Sequence, residues 1–148
     1  MRDFELALKA AGDPTRTRIL KLLQGGPLCV CQVQAVLRLS PSTVSKHLTI
    51  LRYAGLVEDR RDGKWIEYAL RNQGPNPFAT AVRSMLRGSL DHDPIVLADR
   101  ERLREIKAIP LVELCVTLPV RPAPPSKSAR FRRAGKERTR VSDRSRTK

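Results

Sequence analysis

Histidine and cysteine are scarce in this chain, and acids are outnumbered. Only two histidines occur, His47 and His92, and His92 stands between Asp91 and Asp93 with no second His or Cys at a helical spacing. Such a residue in a polar turn is ordinarily just solvated. The cysteines number three, Cys29, Cys31 and Cys115. An odd count in a reducing compartment argues against a disulfide framework and leaves free thiols, buried residues or soft-metal ligands. There is no phosphate-binding glycine loop, no nucleophile elbow and no Cys-X-X-Cys pair. No acid, base and nucleophile set stands together, so an enzyme is not expected. No apolar run reaches the length of a membrane span, and no signal-peptide stretch follows Met1. The expectation is a soluble cytoplasmic protein.

Fifteen Asp and Glu face 29 Lys and Arg, a net charge of +14. That excess points first to nucleic acid as a partner and second to an anionic membrane. It is uneven. From Pro119 to Lys148 there are eleven Lys/Arg against two acids, a net of +9, with four prolines in Pro119–Pro125 and Phe131 as the sole aromatic residue. Such a segment buries too little apolar surface to offset its ordering entropy. Residues 1–115 are therefore read as one folded domain and residues 116–148 as a disordered basic tail.

Periodicity and caps mark out the folded part. Phe4, Ala7, Leu8 and Ala11 give a first helix over residues 3–11. Asp13-Pro14 opens a second, ended by Gly25-Gly26. A third helix is expected from Cys29 to Leu37 on the stripe Val30, Val33 and Leu37. Ser40-Pro41 opens a fourth on the stripe Val44, Leu48 and Leu51, closed by Gly55. Two short helices with so brief a connection fit a helix-turn-helix. Leu56–Arg61 and Lys64–Leu70 then read as strands joined by a type I′ turn at Asp62-Gly63. The fold class is thus mainly α with a β-hairpin wing, a winged helix-turn-helix. Asn76-Pro77 opens a fifth helix with the stripe Phe78, Val82, Met85 and Leu86, and Asp93-Pro94 a sixth, ending near Ala108. Pro110–Cys115 adds a further turn.

Two stretches carry chemistry. The fourth helix is lined with Ser42, Thr43, Ser45, Lys46 and Thr49, whose hydroxyls and ammonium suit base edges and phosphates. His47 either bonds a phosphate or packs to hold the helix pair together. Arg60, Arg61 and Lys64 crowd the hairpin tip. The second stretch is Cys29 and Cys31. Thiolates ligate As(III), Sb(III), Cd(II), Pb(II) and Zn(II). At i, i+2 on a regular helix, however, two Cβ vectors diverge by about 200°. Either Cys29 lies just outside the helix, or binding distorts its first turn. Cys115 is either a third thiolate, from this chain or a partner, or a lone apolar residue.

These pieces resemble the ArsR/SmtB family of winged-helix repressors. The resemblance rests on GDPTRTRILKLL, on LCVC at Leu28–Cys31, on STVSKHLTILRYAGLV at Ser42–Val57 and on RRDGKWIEY at Arg60–Tyr68. It covers residues 3–90 and, more weakly, 91–115. It implies a homodimer that binds an inverted-repeat operator and is released by metal or metalloid ions. Arsenic-sensing members carry ELCVCDLC; Pro27, Gln32 and Gln34 replace its Glu, Asp and last Cys here. Cys29 and Cys31 carry over, and Cys115, an exogenous thiol or a two-coordinate site fills the gap. The zinc-sensing branch uses histidines this chain lacks. The cadmium/lead branch often adds cysteines before Cys29, where none occurs. As(III) or Sb(III) is thus the implied inducer, with Cys29, Cys31 and Cys115 as its ligands and Ser42, Thr43, Ser45, Lys46, His47, Arg60, Arg61 and Lys64 toward DNA. The alternatives are a Cd/Pb-sensing or a thiol-based redox-sensing repressor of the same fold.

The basic segment yields a separate expectation. Truncation after Leu118 should flatten the dependence of DNA affinity on salt, because each phosphate neutralised adds to that slope. An unchanged slope in a salt titration would make the tail merely a solvated end.

Overall fold

The computed structural model describes residues 1–117. The tail expected over 116–148 falls, apart from Val116 and Thr117, outside the described residues.

Capping side chains start most of the helices. The first, α1 (Arg2–Ala11), leads through Gly12 into α2 (Pro14–Leu23). There Asp13 Oδ1 accepts the Arg16 N–H at 2.9 Å and Pro14 supplies a helical φ at N1. Next come β1 (Leu28–Cys29), α3 (Val30–Leu37) and α4 (Pro41–Tyr53), with Ser40 Oγ accepting the Thr43 N–H at 3.3 Å. Between α3 and α4 the chain reverses through Arg38, at φ 55° a non-glycine residue in the left-handed region. The hairpin is β2 (Val57–Asp62) and β3 (Trp65–Leu70); then follow α5 (Pro77–Leu86), α6 (Pro94–Lys107) and α7 (Leu111–Thr117). Asn76 and Asp93 cap α5 and α6.

Three sequence expectations are corrected. The third helix does not begin at Cys29: Leu28 and Cys29 form a short strand that pairs with β3, giving an antiparallel sheet of order β1-β3-β2. Asp62 pairs with Trp65, so the wing turn is centred on Gly63-Lys64 and not on Asp62-Gly63. Gly63 has φ 56° and Lys64 a negative φ, as in a type II′ turn rather than type I′. The stripe assigned to the fifth helix is also rotated. Ala79, Val82 and Leu86 are buried, while Phe78 and Met85 face outward, 39% and 59% exposed.

The core lies between α1, α2, α3, α4 and α5. Ile19, Val33, Val36, Val44, Leu48, Leu51, Leu56 and Val57 are all fully buried there. Two charged side chains are buried beside it and braced. Lys21 donates to the Leu86 and Ser89 carbonyls and to Asp91 at 3.0, 2.6 and 2.8 Å. Asp99, on α6, accepts from Arg18 Nε and Nη2 of α2 at 2.7 and 2.8 Å and from Arg102 at 3.1 Å. Arg102 also reaches the Val36 carbonyl of α3 at 3.4 Å. Asp99 thereby ties α6 to α2, and Arg102 of the same helix ties it to α3.

Asp99→Ala should lower stability by about 2 kcal/mol, since it strands two guanidinium groups at a packed seam. Glu101→Ala, which breaks an exposed pair with Arg104, should cost less than about 0.5 kcal/mol. Urea denaturation of both variants checks the contrast.

Candidate thiolate centre and DNA-reading face

The reading face is built on α4. Its buried stripe, Val44, Leu48 and Leu51, fixes the rotation of the helix and turns Ser42, Lys46 and Thr49 to solvent. Thr43, Ser45 and His47 are half-buried at the edges. The Ser40 hydroxyl meets those of Thr43 and Ser42 at 2.8 and 3.2 Å, so the first turn presents a linked hydroxyl cluster. His47 turns inward: its Nδ1 lies 3.8 Å from Asp13 Oδ1, the cap of α2. Of its two sequence readings, packing is the one this placement favours.

The wing carries the other cations. Arg60, Arg61 and Lys64 are exposed. Arg60 pairs with Glu58, Arg61 donates to the Gly63 carbonyl at 3.2 Å, and Lys64 Nζ sits 5.3 Å from the Trp65 ring centroid. Arg52 at the end of α4 reaches Asp59 of β2 at 3.3 Å, linking the recognition helix to the wing. Arg38 is an exposed cation in the connection between α3 and α4 that pattern reading passed over; it lacks the periodicity that marks a helix face.

The thiol sulfurs of Cys29, Cys31 and Cys115 all lie within 4.8 Å of one another. Cys29 sits outside α3, with extended φ −81° and ψ 161°. The backbone change between it and Cys31 removes the divergence expected on a regular helix, and the two sulfurs lie 3.2 Å apart. Cys115 comes from α7, which α6 carries back over α3. The site is mostly buried: Cys29 and Cys31 are 2% and 3% exposed and pack with Leu114, Ala35, Ile106 and Leu111, while Cys115 is half-buried. The expectation of free thiols holds for Cys29 alone, because Cys31 and Cys115 form a disulfide with Cα atoms 5.6 Å apart. Far apart in sequence, the two have the reach a disulfide needs once α7 docks.

Gln32 is a neighbour of the thiol site that pattern reading missed. Its Oε1 accepts the Cys29 N–H at 3.0 Å and lies 3.5 Å from the Cys29 sulfur. A Gln at N3 is a capping-box signal, obscured here because the N-cap is a cysteine. Burial pushes the Cys29 thiol above its ordinary range and the Glu67 carboxylate acts in the same direction; the backbone N–H groups of Gln32, Cys31 and Cys29 oppose them. A set of three sulfurs with no oxygen ligand suits a soft, thiophilic ion once the disulfide is reduced.

Comparison with known proteins accords with this geometry. Residues 13–59 match the family model described as bacterial regulatory protein, arsR family. The arsenic resistance transcriptional regulator ArsR1 of Pseudomonas putida is 38% identical over 103 residues, 68% of this chain and 77% of that protein. The chain belongs to the arsR family. A second regulator of that organism, ArsR2, is 35% identical over 105 residues, covering 70% of this chain and 88% of its own length. Reduced HlyU from Vibrio cholerae shares the fold with TM-score 0.53 and 29% identity, over 63% of this chain and 90% of that one. As an arsR-family member the chain is a DNA-binding winged-helix transcriptional regulator, not an enzyme. Among the described residues no helix is long and apolar enough to cross a membrane.

Alkylation and mass spectrometry should find Cys29 as the one modifiable thiol among the three before reduction, and three after it. Because burial disfavours the thiolate, native Cys29 should react more slowly than an exposed cysteine and need a higher pH to reach the same rate. Equal rates in native and denatured protein would contradict its burial.

Proposed function

We propose that this protein is a dimeric, cytoplasmic repressor that binds an inverted-repeat operator and leaves it when Cys29, Cys31 and Cys115 capture As(III) or Sb(III). The observation that carries the reading is the gathering of three sulfurs, and no carboxylate, within 4.8 Å in a mostly buried site. A third thiolate from α7 replaces the one that Gln34 denies to α3. Two low-molecular-weight thiols first reduce the Cys31–Cys115 bond by exchange, leaving as their own disulfide. The three thiols then give their protons to the three hydroxides of arsenous acid, three waters leave, and three As–S bonds form. Ser42, Thr43, Ser45 and Lys46 would read the major groove. Arg60, Arg61 and Lys64 would hold the backbone or minor groove, and His47 would hold α4 against α2. Residues 1–115 form the DNA-binding and dimerisation domain in this reading, and residues 116–148 add non-specific attraction to DNA.

The dimer is supported by an apolar face left bare on α1 and α5. Phe4, Leu8, Phe78 and Met85 are 43%, 42%, 39% and 59% exposed, and the rings of Phe4 and Phe78 meet edge to face at 5.3 Å. Val82, of the fifth-helix stripe, is 5% exposed within the chain's own core and is not available to a partner.

One observation favours a second reading. The disulfide between Cys31 and Cys115 makes oxidation a possible signal in its own right. A hydroperoxide would take two electrons and two protons from these thiols, giving water and an alcohol.

Operator titrations with and without arsenite decide between them. Arsenite should weaken binding by the reduced wild type about tenfold or more and leave Cys29→Ser/Cys31→Ser unaffected; Cys115→Ser should respond weakly. Equal release in wild type and double mutant would sink the metalloid reading. Release by peroxide in metal-free buffer without any arsenite effect would establish the redox one, and release by Cd(II) or Pb(II) alone would change the inducer.

A further inference from the structure

Cys29 is not only a sulfur ligand; it is one of the two residues of β1. Its Cα pairs with Glu67 of β3, and Glu67 pairs in turn with Arg60 of β2. The neighbouring row runs from Leu28 to Tyr68 to Asp59. Asp59 then meets Arg52 of α4 at 3.3 Å. Two adjacent cross-strand rows therefore connect the thiol site with the wing and, through one ion pair, with the recognition helix.

We infer that the three-stranded sheet carries the inducer signal from Cys29 to the wing and to α4 together. This rests on the proposed capture of a metalloid at the same three thiols. The two-residue strand has no slack: Leu28 is fully buried, Tyr68 is 3% exposed, and the Cys29 N–H is already held by Gln32. The Cys29 and Cys31 sulfurs already lie 3.2 Å apart, so gathering a set that spans up to 4.8 Å onto one ion pulls Cys29 toward Cys115, and a displaced Cys29 is a displaced β1. Packed cores answer such a shift by changing arrangement rather than by stretching. The wing then acts as a lever. Its strands have six residues each, about 20 Å at roughly 3.3 Å per residue, so a small rotation at the base moves Arg60, Arg61 and Lys64 by more than it moves Cys29. The same rotation drags Asp59, and with it Arg52 at the end of α4. Inducer binding thus acts on the backbone-holding cations as well as on the base-reading helix, and the route from site to DNA need not run through α3 alone.

The chain's single tryptophan, Trp65, begins β3 opposite Asp62 and reports on this lever. Arsenite is added to the reduced full-length protein while thiolate-to-arsenic absorption in the near ultraviolet and Trp65 fluorescence anisotropy are followed. Operator affinity is then measured, with and without arsenite, for wild type and for Arg61→Ala/Lys64→Ala, whose exposed positions leave the fold intact. Trp65 anisotropy is expected to change in step with the absorption. Arsenite should weaken operator binding about tenfold or more in wild type but no more than about threefold in the wing variant, whose wing has already lost its grip. Absorption with an unmoved Trp65 and the same release factor in both proteins overturns the sheet route and leaves the metalloid reading standing. Absence of the absorption overturns the metalloid reading, and this route with it.

Discussion

Two thiols at i and i+2 diverge on a regular α-helix and cannot face one ion from it, so the backbone must leave the helix at one of them. Here the change falls at Cys29, which is extended while Val30 begins a helix. Much of the rest depends on that junction. It needs β3 alongside to hold Leu28 and Cys29 as a strand, and Gln32 to hold the Cys29 N–H where a helical partner is lacking. It needs α6 to bring α7 and Cys115 back over α3. The Asp99 carboxylate serves that last requirement: it fastens α6 to α2 through Arg18 and holds Arg102 of the same helix, whose guanidinium reaches the Val36 carbonyl of α3. A surface pair would not hold such a seam, whereas a buried carboxylate, already stripped of water, depends on its guanidinium partners and would be left uncompensated without them.

On the DNA side the constraint is apolar. Val44, Leu48 and Leu51 allow α4 one rotation about its axis, and that rotation decides which polar residues reach outward. His47 Nδ1 lies 3.8 Å from Asp13 Oδ1 between α4 and α2, beyond hydrogen-bond distance. The wing is fastened differently, by backbone pairing within the sheet and by Arg52–Asp59 at its base. Helix α4 and the wing are thus held by separate means, and the wing shares one sheet with the thiol site.

Most of the helices were legible because each begins with a residue whose side chain does a local job: Asp13, Ser40, Asn76 and Asp93 each cap the helix that follows with proline at its first position. The reading stripe was legible for the same reason, since its periodicity is internal to one helix. What was not legible is what depends on pairing across the chain. Nothing in Leu28-Cys29 announces a strand, because two residues carry no alternation; only β3 makes them one. The outward turn of Phe78 and Met85 follows from where α1 packs, which the α5 sequence does not encode. Cys115 was weighed as a ligand, yet its proximity to Cys29 and Cys31 depends on the Asp99 seam, and no spacing rule reaches from residue 31 to residue 115. The wing turn moved by one residue because Asp-Gly and Gly-Lys both serve two-residue hairpins, and strand register chose between them.

The disulfide of Cys31 with Cys115 has a consequence for how the centre handles two signals at once. The same two sulfurs cannot be bonded to each other and to a metalloid. Oxidation and metalloid capture are therefore competing occupations of one site, and each depletes the form on which the other acts. In the proposed reading the centre behaves as a conditional element: metalloid counts as a signal only while the thiols are kept reduced. How fast the regulator answers is then set as much by the rate at which the surrounding thiol pool opens that one bond as by the concentration of the inducer.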